Sequence, residues 1–267
     1  MTCRIENGQT FLQSYNAENR LSGIALIEGD CEPLSEPLKT WSFIYDGDGR
    51  DLCTPETFFV ERGTKVKQII TEGASTSTTY YYAGGGYEVQ TDGNTETVRS
   101  YYAIAGMIVA MQVGAYGNTP TTWSFFLTDH LGSVVGITDD AGLLTAETRY
   151  MPFGEVRTDL DTISTTDFGY TFQRVVVDSG LMDYKARAYD PYLNRWLQPD
   201  TILPDFNIPQ SLNRYSYVNN SPVCFSDPSG HCPLCVSAAI GAAIGAVVGA
   251  AGYGIYVAAS GKEFNWK

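Results

Sequence analysis

Positive charge is scarce in this chain. Seventeen lysines and arginines stand against thirty aspartates and glutamates in 267 residues, a formal net charge of −13. Such a field favours solubility and opposes polyanions, so no nucleic-acid partner is expected. Cysteine is sparse as well. The six, at Cys3, Cys31, Cys53, Cys224, Cys232 and Cys235, form no dense framework, and free thiols in a reducing compartment are expected. The opening MTCRIENGQTFL has no basic stretch followed by an apolar run, so no signal peptide is expected. Long helices are scarce up to residue 236. Metal ligands are also short: Cys232 and Cys235 make one Cys-x-x-Cys, which only His231 and Cys224 could complete. No metal and no cofactor are expected.

Aromatic residues are what the chain has in quantity, 13% of the whole with 18 tyrosines, and 43% is hydrophobic. That suffices for one or two cored domains. Residues 9–25, QTFLQSYNAENRLSGIA, read as a strand, a polar turn and a second strand. The shape recurs at WSFIYDGDGRDLC (41–53), with Asp48-Gly49 as a hairpin turn, and at TTYYYAGGGYEVQTDGNTETV (78–98), turning at Gly84-Gly85. RSYYAIAGMIVAMQV (99–113) follows. Units of roughly 20–30 residues built from aromatic strand, Gly/Asp/Asn turn and β-branched strand imply a solenoid-like antiparallel sheet. Residues 31–38 and 114–122 carry the proline and glycine of loops. In WSFFLTDHLGSVVGITDDAGLL, Asp129-His130 and Asp140-Ala141-Gly142 mark turns. His130 stands beside a carboxylate with no nucleophile placed to use the pair, so it and Ser133 read as turn chemistry.

The stretch 180–230 concentrates Tyr184, Tyr189, Tyr192, Tyr215, Tyr217, Trp196 and Phe225, with Lys185, Arg187, Arg195 and Arg214 interleaved. Aromatics at this density favour pleated, half-buried surface, and guanidinium groups stack on such rings inside proteins. Asp200 follows Arg195-Trp196-Leu197-Gln198-Pro199, and Asp227 opens Asp227-Pro228-Ser229-Gly230. By themselves both read as turn aspartates. After residue 235 the composition changes. VSAAIGAAIGAVVGAAGYGIYVAA (236–259) carries no charge, long enough for a helix of ~36 Å at 1.5 Å per residue. Gly241, Gly245 and Gly249 would give that helix one smooth face. A membrane-crossing helix, a helix packed in a protein cavity and a flexible linker all stay open for it.

Six blocks in order resemble the RHS repeat-associated core domain of bacterial RHS/YD-repeat proteins. They are DHLGSV (129–134), YMPFGEVR (150–157), FGYTFQR (168–174), GLMDYKARAYDPYLNRW (180–196), LNRYSYVNNSPV (212–223) and DPSG (227–230). Upstream, Tyr15-Asn16 and Tyr45-Asp46 with Arg20 and Arg50 resemble the YD repeat. The resemblance implies a mainly β fold, an antiparallel sheet forming part of a hollow shell with an Ala/Gly-rich C-terminal helix. It divides the chain into YD-type repeats (1–128), RHS core (129–231) and a junction opening a variable C-terminal region (232–267). It implies a structural carrier whose partner is its own C-terminal effector, of toxin type, or the remainder of a larger shell. Membrane contact would come through 236–259. The family also implies synthesis in the bacterial cytoplasm, with specialised secretion or association with the cell surface. Several members cut themselves with two aspartates after a DPxG-type motif. Carried over, Asp200 and Asp227 would be the catalytic pair, with Asp205 the rival of Asp200 because the stretch to Leu212 is longer than in most members. Arg195 would bias their charge, and the cut would fall between His231 and Cys232. That makes the enzyme alternative a single-turnover aspartyl autoprotease. A third alternative is a carbohydrate-binding β module, whose aromatic sheet would hold sugars.

Overall fold

A computed structural model describes residues 2–31, 36–45, 65–82, 86–104, 107–118, 122–157, 163–202 and 209–231. The Asp48-Gly49 and Gly84-Gly85 turns, Asp205, Cys232, the Cys-x-x-Cys and the uncharged stretch 236–259 lie outside the described residues.

Strands dominate, as the alternation predicts. Among the described residues, twelve form one sheet in which every strand pairs antiparallel with its neighbour in sequence. They are β1 (Thr2–Glu6), β2 (Gln9–Tyr15), β3 (Leu21–Ile27), β4 (Lys39–Tyr45), β5 (Lys65–Glu72), β6 (Ser75–Tyr82), β7 (Tyr87–Thr91), β8 (Glu96–Ile104), β9 (Met107–Ala115), β10 (Thr122–Thr128), β11 (Val134–Thr138) and β12 (Leu144–Glu147). The sheet thus runs on past residue 128. Acidic and amide side chains build the turns. Asn16 Oδ1 accepts from the amides of Glu18 and Arg20, at 3.0 and 2.9 Å. Asp139 Oδ1 accepts from those of Ala141 and Leu143, at 3.0 and 2.8 Å. The repeat signature makes a contact between units: Arg20 lies 5.4 Å from the Tyr45 ring centre. The Tyr45 hydroxyl donates to the Leu21 carbonyl at 2.8 Å.

Side chains alternate between the two faces of each strand, and one face is covered. On β4, Trp41 and Phe43 are buried while Ser42 and Ile44 are exposed. Against this inner face sits a small four-stranded sheet, β13 (Arg174–Val176), β14 (Leu181–Asp183), β15 (Ala188–Asp190) and β16 (Arg195–Trp196). Phe11, Ile24, Trp41 and Phe43 of the large sheet pack with Val176, Leu181 and Ala188 of the small one. Further along, Tyr101, Met111 and Phe126 pack with Val134 and Ile137, and Phe168 and Phe172 lie against them. A fully buried side chain of this size contributes roughly 1.5–3 kcal/mol. Hence the small sheet plugs the inner face instead of extending the large one.

Ion pairs cross the same boundary. Arg4 Nε lies 2.6 Å from Asp190 Oδ2, and Lys65 Nζ 2.9 Å from Asp183 Oδ2. Arg174 Nη1 lies 2.7 Å from Glu88 Oε2, and Lys39 Nζ 2.7 Å from Asp178 Oδ2. The plug's own core is aromatic. Tyr184, Tyr189, Trp196 and Tyr217 are fully buried and meet at ring separations of 4.5–5.7 Å.

One cysteine expectation is corrected. Cys3 and Cys31 form a disulfide, with Cα atoms 5.8 Å apart across a sequence separation of 28. Cys3 lies on β1 and Cys31 follows β3, with β2 paired between the two strands, a proximity that spacing alone does not reveal. Cys224 is a free, exposed thiol.

Candidate functional site

Asp227 is first of all a turn residue. Its Oδ1 accepts from the amides of Ser229, Gly230 and His231 at 3.2, 2.9 and 3.1 Å, and from the Ser229 hydroxyl at 3.3 Å. This coils residues 227–231 around one carboxylate oxygen. Gly230 has φ +79°, and a Cβ there would stand 2.7 Å from the Tyr184 carbonyl and 3.2 Å from the Arg187 amide. Only glycine lets the turn lie this close to the β14–β15 connection.

Asp200 reaches the same place from the far side of β16. Its amide donates to the Arg214 carbonyl at 3.1 Å, and Arg214 Nη2 donates back to the Asp200 carbonyl. Its Oδ1 accepts from the Ile202 amide at 2.9 Å and from His231 Nδ1 at 2.9 Å. Its Oδ2 lies 2.8 Å from Arg187 Nη2. Burial alone would raise this carboxyl. The bonds from His231 and Ile202 and the Arg187 charge override it and hold Asp200 below the usual carboxylate range.

Arg187 joins the two aspartates. Its Nη2 stands between Asp200 Oδ2 and Asp227 Oδ2, 3.6 Å from the latter. Nε donates to the Gly230 carbonyl and Nη1 to the Arg214 carbonyl at 3.1 Å. The guanidinium lies 4.1 Å from the Trp196 ring centre. Burial pulls it below the ordinary arginine value, against the opposing pull of Asp200 and Asp227. A guanidinium between two carboxylates lets both stay ionised, whereas acid–base work by a pair needs one proton on one of them. Behind the site the buried Tyr217 hydroxyl is pushed up to about 12, chiefly by burial.

The structure therefore brings Asp200, Asp227 and His231 together and leaves Arg195 out. Arg195 is exposed, and its guanidinium lies 5.1 Å from the Tyr215 ring centre. Strand alternation explains this. Trp196 is buried, so the residue before it points the other way. Arg187 has the part expected of Arg195, and it stacks on that same Trp196. Its signal in the sequence was its place among the interleaved basic and aromatic residues. Arg214 carried the same signal. Asp205 and Cys232 lie outside the described residues.

The other sequence candidates resolve as turns. Asp129 Oδ1 accepts from the amides of Leu131 and Ser133 at 2.9 and 2.8 Å. His130 Nε2 lies 3.0 Å from the Val223 carbonyl. The buried Ser133 hydroxyl accepts from the Thr171 amide at 3.1 Å.

Comparison with known proteins agrees with this architecture. Residues 118–223 match the Teneurin YD-shell family model. The tRNA3(Ser)-specific nuclease WapA of Bacillus spizizenii is 24% identical over 246 residues, 86% of this chain and 10% of that protein. Toxin subunit YenC2 of Yersinia entomophaga is 30% identical over 123 residues, 44% of this chain and 12% of that protein. The crystal structure of TcdB2-TccC3-Cdc42 matches with a TM-score of 0.64 at 20% identity, covering 90% of this chain and 11% of that one. That last likeness is one of fold. The chain thus spans about a tenth of the length of these relatives. The serial antiparallel sheet, the core packed against it and these matches make this chain similar to RHS/YD-repeat shell proteins.

Proposed function

We propose that the chain is the closing end of a β-shell that carries a C-terminal effector of toxin type. One observation carries this reading: residues 174–196 are held on the inner face of the sheet by both apolar packing and ion pairs. His231 is bonded to Asp227 and Asp200 beside that plug. Whatever follows is delivered from a fixed point. The names of the WapA and YenC2 relatives supply the effector's class. Export through a specialised secretion system or display at the cell surface follows from that role, and the Cys3–Cys31 bond favours an oxidising destination. Limited proteolysis of the full chain, read by mass and gel filtration, tests the carrier reading. Residues up to 231 should survive as one folded body, with the segment from 232 co-eluting after a cut between them. A segment that leaves freely once cut would overturn it.

The arrangement at Asp200, Asp227 and Arg187 supports a second activity, single-turnover cutting after His231. Both carboxylates bond to residues 227–231 or to the arginine that holds them. An intramolecular reaction of this kind needs orientation only, which can supply roughly 7–11 kcal/mol of the barrier. Intact mass over time should reveal a fragment ending at His231, absent from Asp200→Asn and Asp227→Asn. A wild-type chain that stays whole removes this activity and leaves the carrier.

A further inference from the structure

We propose that His231 restrains the aspartate pair: its imidazole clasps Asp200, and cutting waits until that clasp opens. This inference rests on the self-cutting activity above and adds its regulation. Both Asp200 carboxylate oxygens are taken, Oδ2 by Arg187 at 2.8 Å and Oδ1 by His231 Nδ1 and the Ile202 amide, each at 2.9 Å. In the reaction a water adds its oxygen to the His231 carbonyl carbon. The bond to the Cys232 nitrogen breaks, one water hydrogen stays on the new acid, and the other goes to the freed amine. Some carboxylate must take a proton from that water and some group must give one to the amine. While these three donors hold it charged, Asp200 has no proton to give, and its Oδ1 has no lone pair left to accept one.

The residue at the bond is thus also the residue that blocks the chemistry. His231 is tethered at both ends. Its amide donates to Asp227 at 3.1 Å and its ring to Asp200 at 2.9 Å. Its side chain is 31% exposed, so solvent protons reach it. The charged and titratable groups facing the clasp are Arg187 from the β14–β15 connection, Arg214 and Tyr217 from the stretch after Leu212, and Asp227 from its own turn. Guanidinium groups as a type stay charged across neutral pH. Of these side-chain types, imidazole is the one whose charge changes nearest neutral pH. An imidazolium strengthens the bond to Asp200 and keeps that carboxylate ionised. The pair, by contrast, needs a proton to work. Acid should therefore tighten the restraint while it loads the pair.

The test follows intact mass with time from pH 5 to pH 8 for wild type, His231→Leu and His231→Asn. The asparagine amide can donate where Nδ1 does but does not titrate. His231→Leu should cut about tenfold faster than wild type, the scale of one bond to a charged group, and the gap should widen towards pH 5. His231→Asn should stay restrained, with a flatter pH profile than wild type. A leucine variant no faster than wild type at any pH overturns the restraint. Equal pH profiles for all three overturn it as well, since a packing role alone would not depend on the imidazole's charge. A stability cycle with Asp200→Asn, His231→Leu and both together runs alongside. Non-additive losses support the clasp, and additive ones overturn it. If every variant stays whole while the losses are non-additive, the self-cutting activity fails, and the restraint falls with it, leaving only a structural clamp.

Discussion

Gly142 and Gly230 share a φ of +79°, yet their surroundings differ completely. Among the described residues, its chain neighbours apart, no atom lies within 4 Å of the position a Cβ would take at Gly142, whereas at Gly230 the Tyr184 carbonyl is 2.7 Å away, with the Arg187 amide at 3.2 Å and Ala186 Cβ at 3.3 Å. Alanine at either site carries the left-handed penalty, about 1–2 kcal/mol. At Gly142 that is the whole effect. At Gly230 two pieces of backbone must part. The movement strains the amide bond to Asp227, 2.9 Å long, and the donation from Arg187 to the Gly230 carbonyl. A neutral bond is worth about 1 kcal/mol and one to a charged group about 1.5–3. Gly230→Ala should therefore cost about 3–5 kcal/mol against about 1–2 for Gly142→Ala. Urea melts of the full chain at neutral pH measure both, with an unchanged m-value showing that the cost is one of stability. Equal losses would refute the claim that the turn is pressed against the β14–β15 connection.

Other outcomes follow from the seam between the sheets and from the disulfide. Lys65→Met keeps the stem that lies by Phe43 and Tyr81 but leaves Asp183 without its 2.9 Å partner, and should cost about 3–5 kcal/mol in the same melts. Burial would raise the Asp183 carboxyl, but the Lys65 charge and bond, the Lys185 amide and Arg174 hold it below its ordinary value. Its contribution is thus complete above the unfolded value of about 3.9 and is lost as pH falls through the lower folded one. Acid melts should show that loss below about pH 4, and Asp183→Asn should flatten it. Reducing Cys3–Cys31 frees a loop with a sequence separation of 28 and should lower stability by about 3–4 kcal/mol, read by melts with and without a phosphine reductant.

The sheet was legible because its period is two and its turns are chemical. Tyr15, Trp41 and Tyr101 sit in strands whose alternation shows in the letters, and Asn16 and Asp139 bond their own turns in ways their residue types foretell. The plug was legible only as a density of aromatics. Its strands are two or three residues long, too short for a period to declare itself. The two aspartates came from motif order, and their meeting with His231 depends on a turn and a strand end 27 or more residues apart. Arg195 was named for its nearness in sequence to Asp200. Nearness along a strand says nothing about which face a side chain takes, and the burial of Trp196 puts its neighbour outside. Arg187 lies further off in sequence but on the buried side.

The seam and the site are mechanically one segment. Asp183 and Asp190 flank Arg187, and each is bound to the large sheet, at Lys65 on β5 and Arg4 on β1. Apolar contact alone would tolerate sliding, because neighbouring strands of a serial sheet offer similar surfaces. A plug displaced by one strand would leave buried Arg4, Lys65 and Glu88 without their partners, at about 3–5 kcal/mol for each broken pair. The pairs differ in sign, since Glu88 meets Arg174 while Lys65 meets Asp183, so no shifted placement satisfies all of them. Register is thereby imposed on the stretch 183–190 from both ends, and with it the position of the guanidinium that Asp200 and Asp227 share. The large sheet determines where the aspartates meet, so loss of a seam pair should appear first as a looser Arg187 and only then as an unfolded sheet.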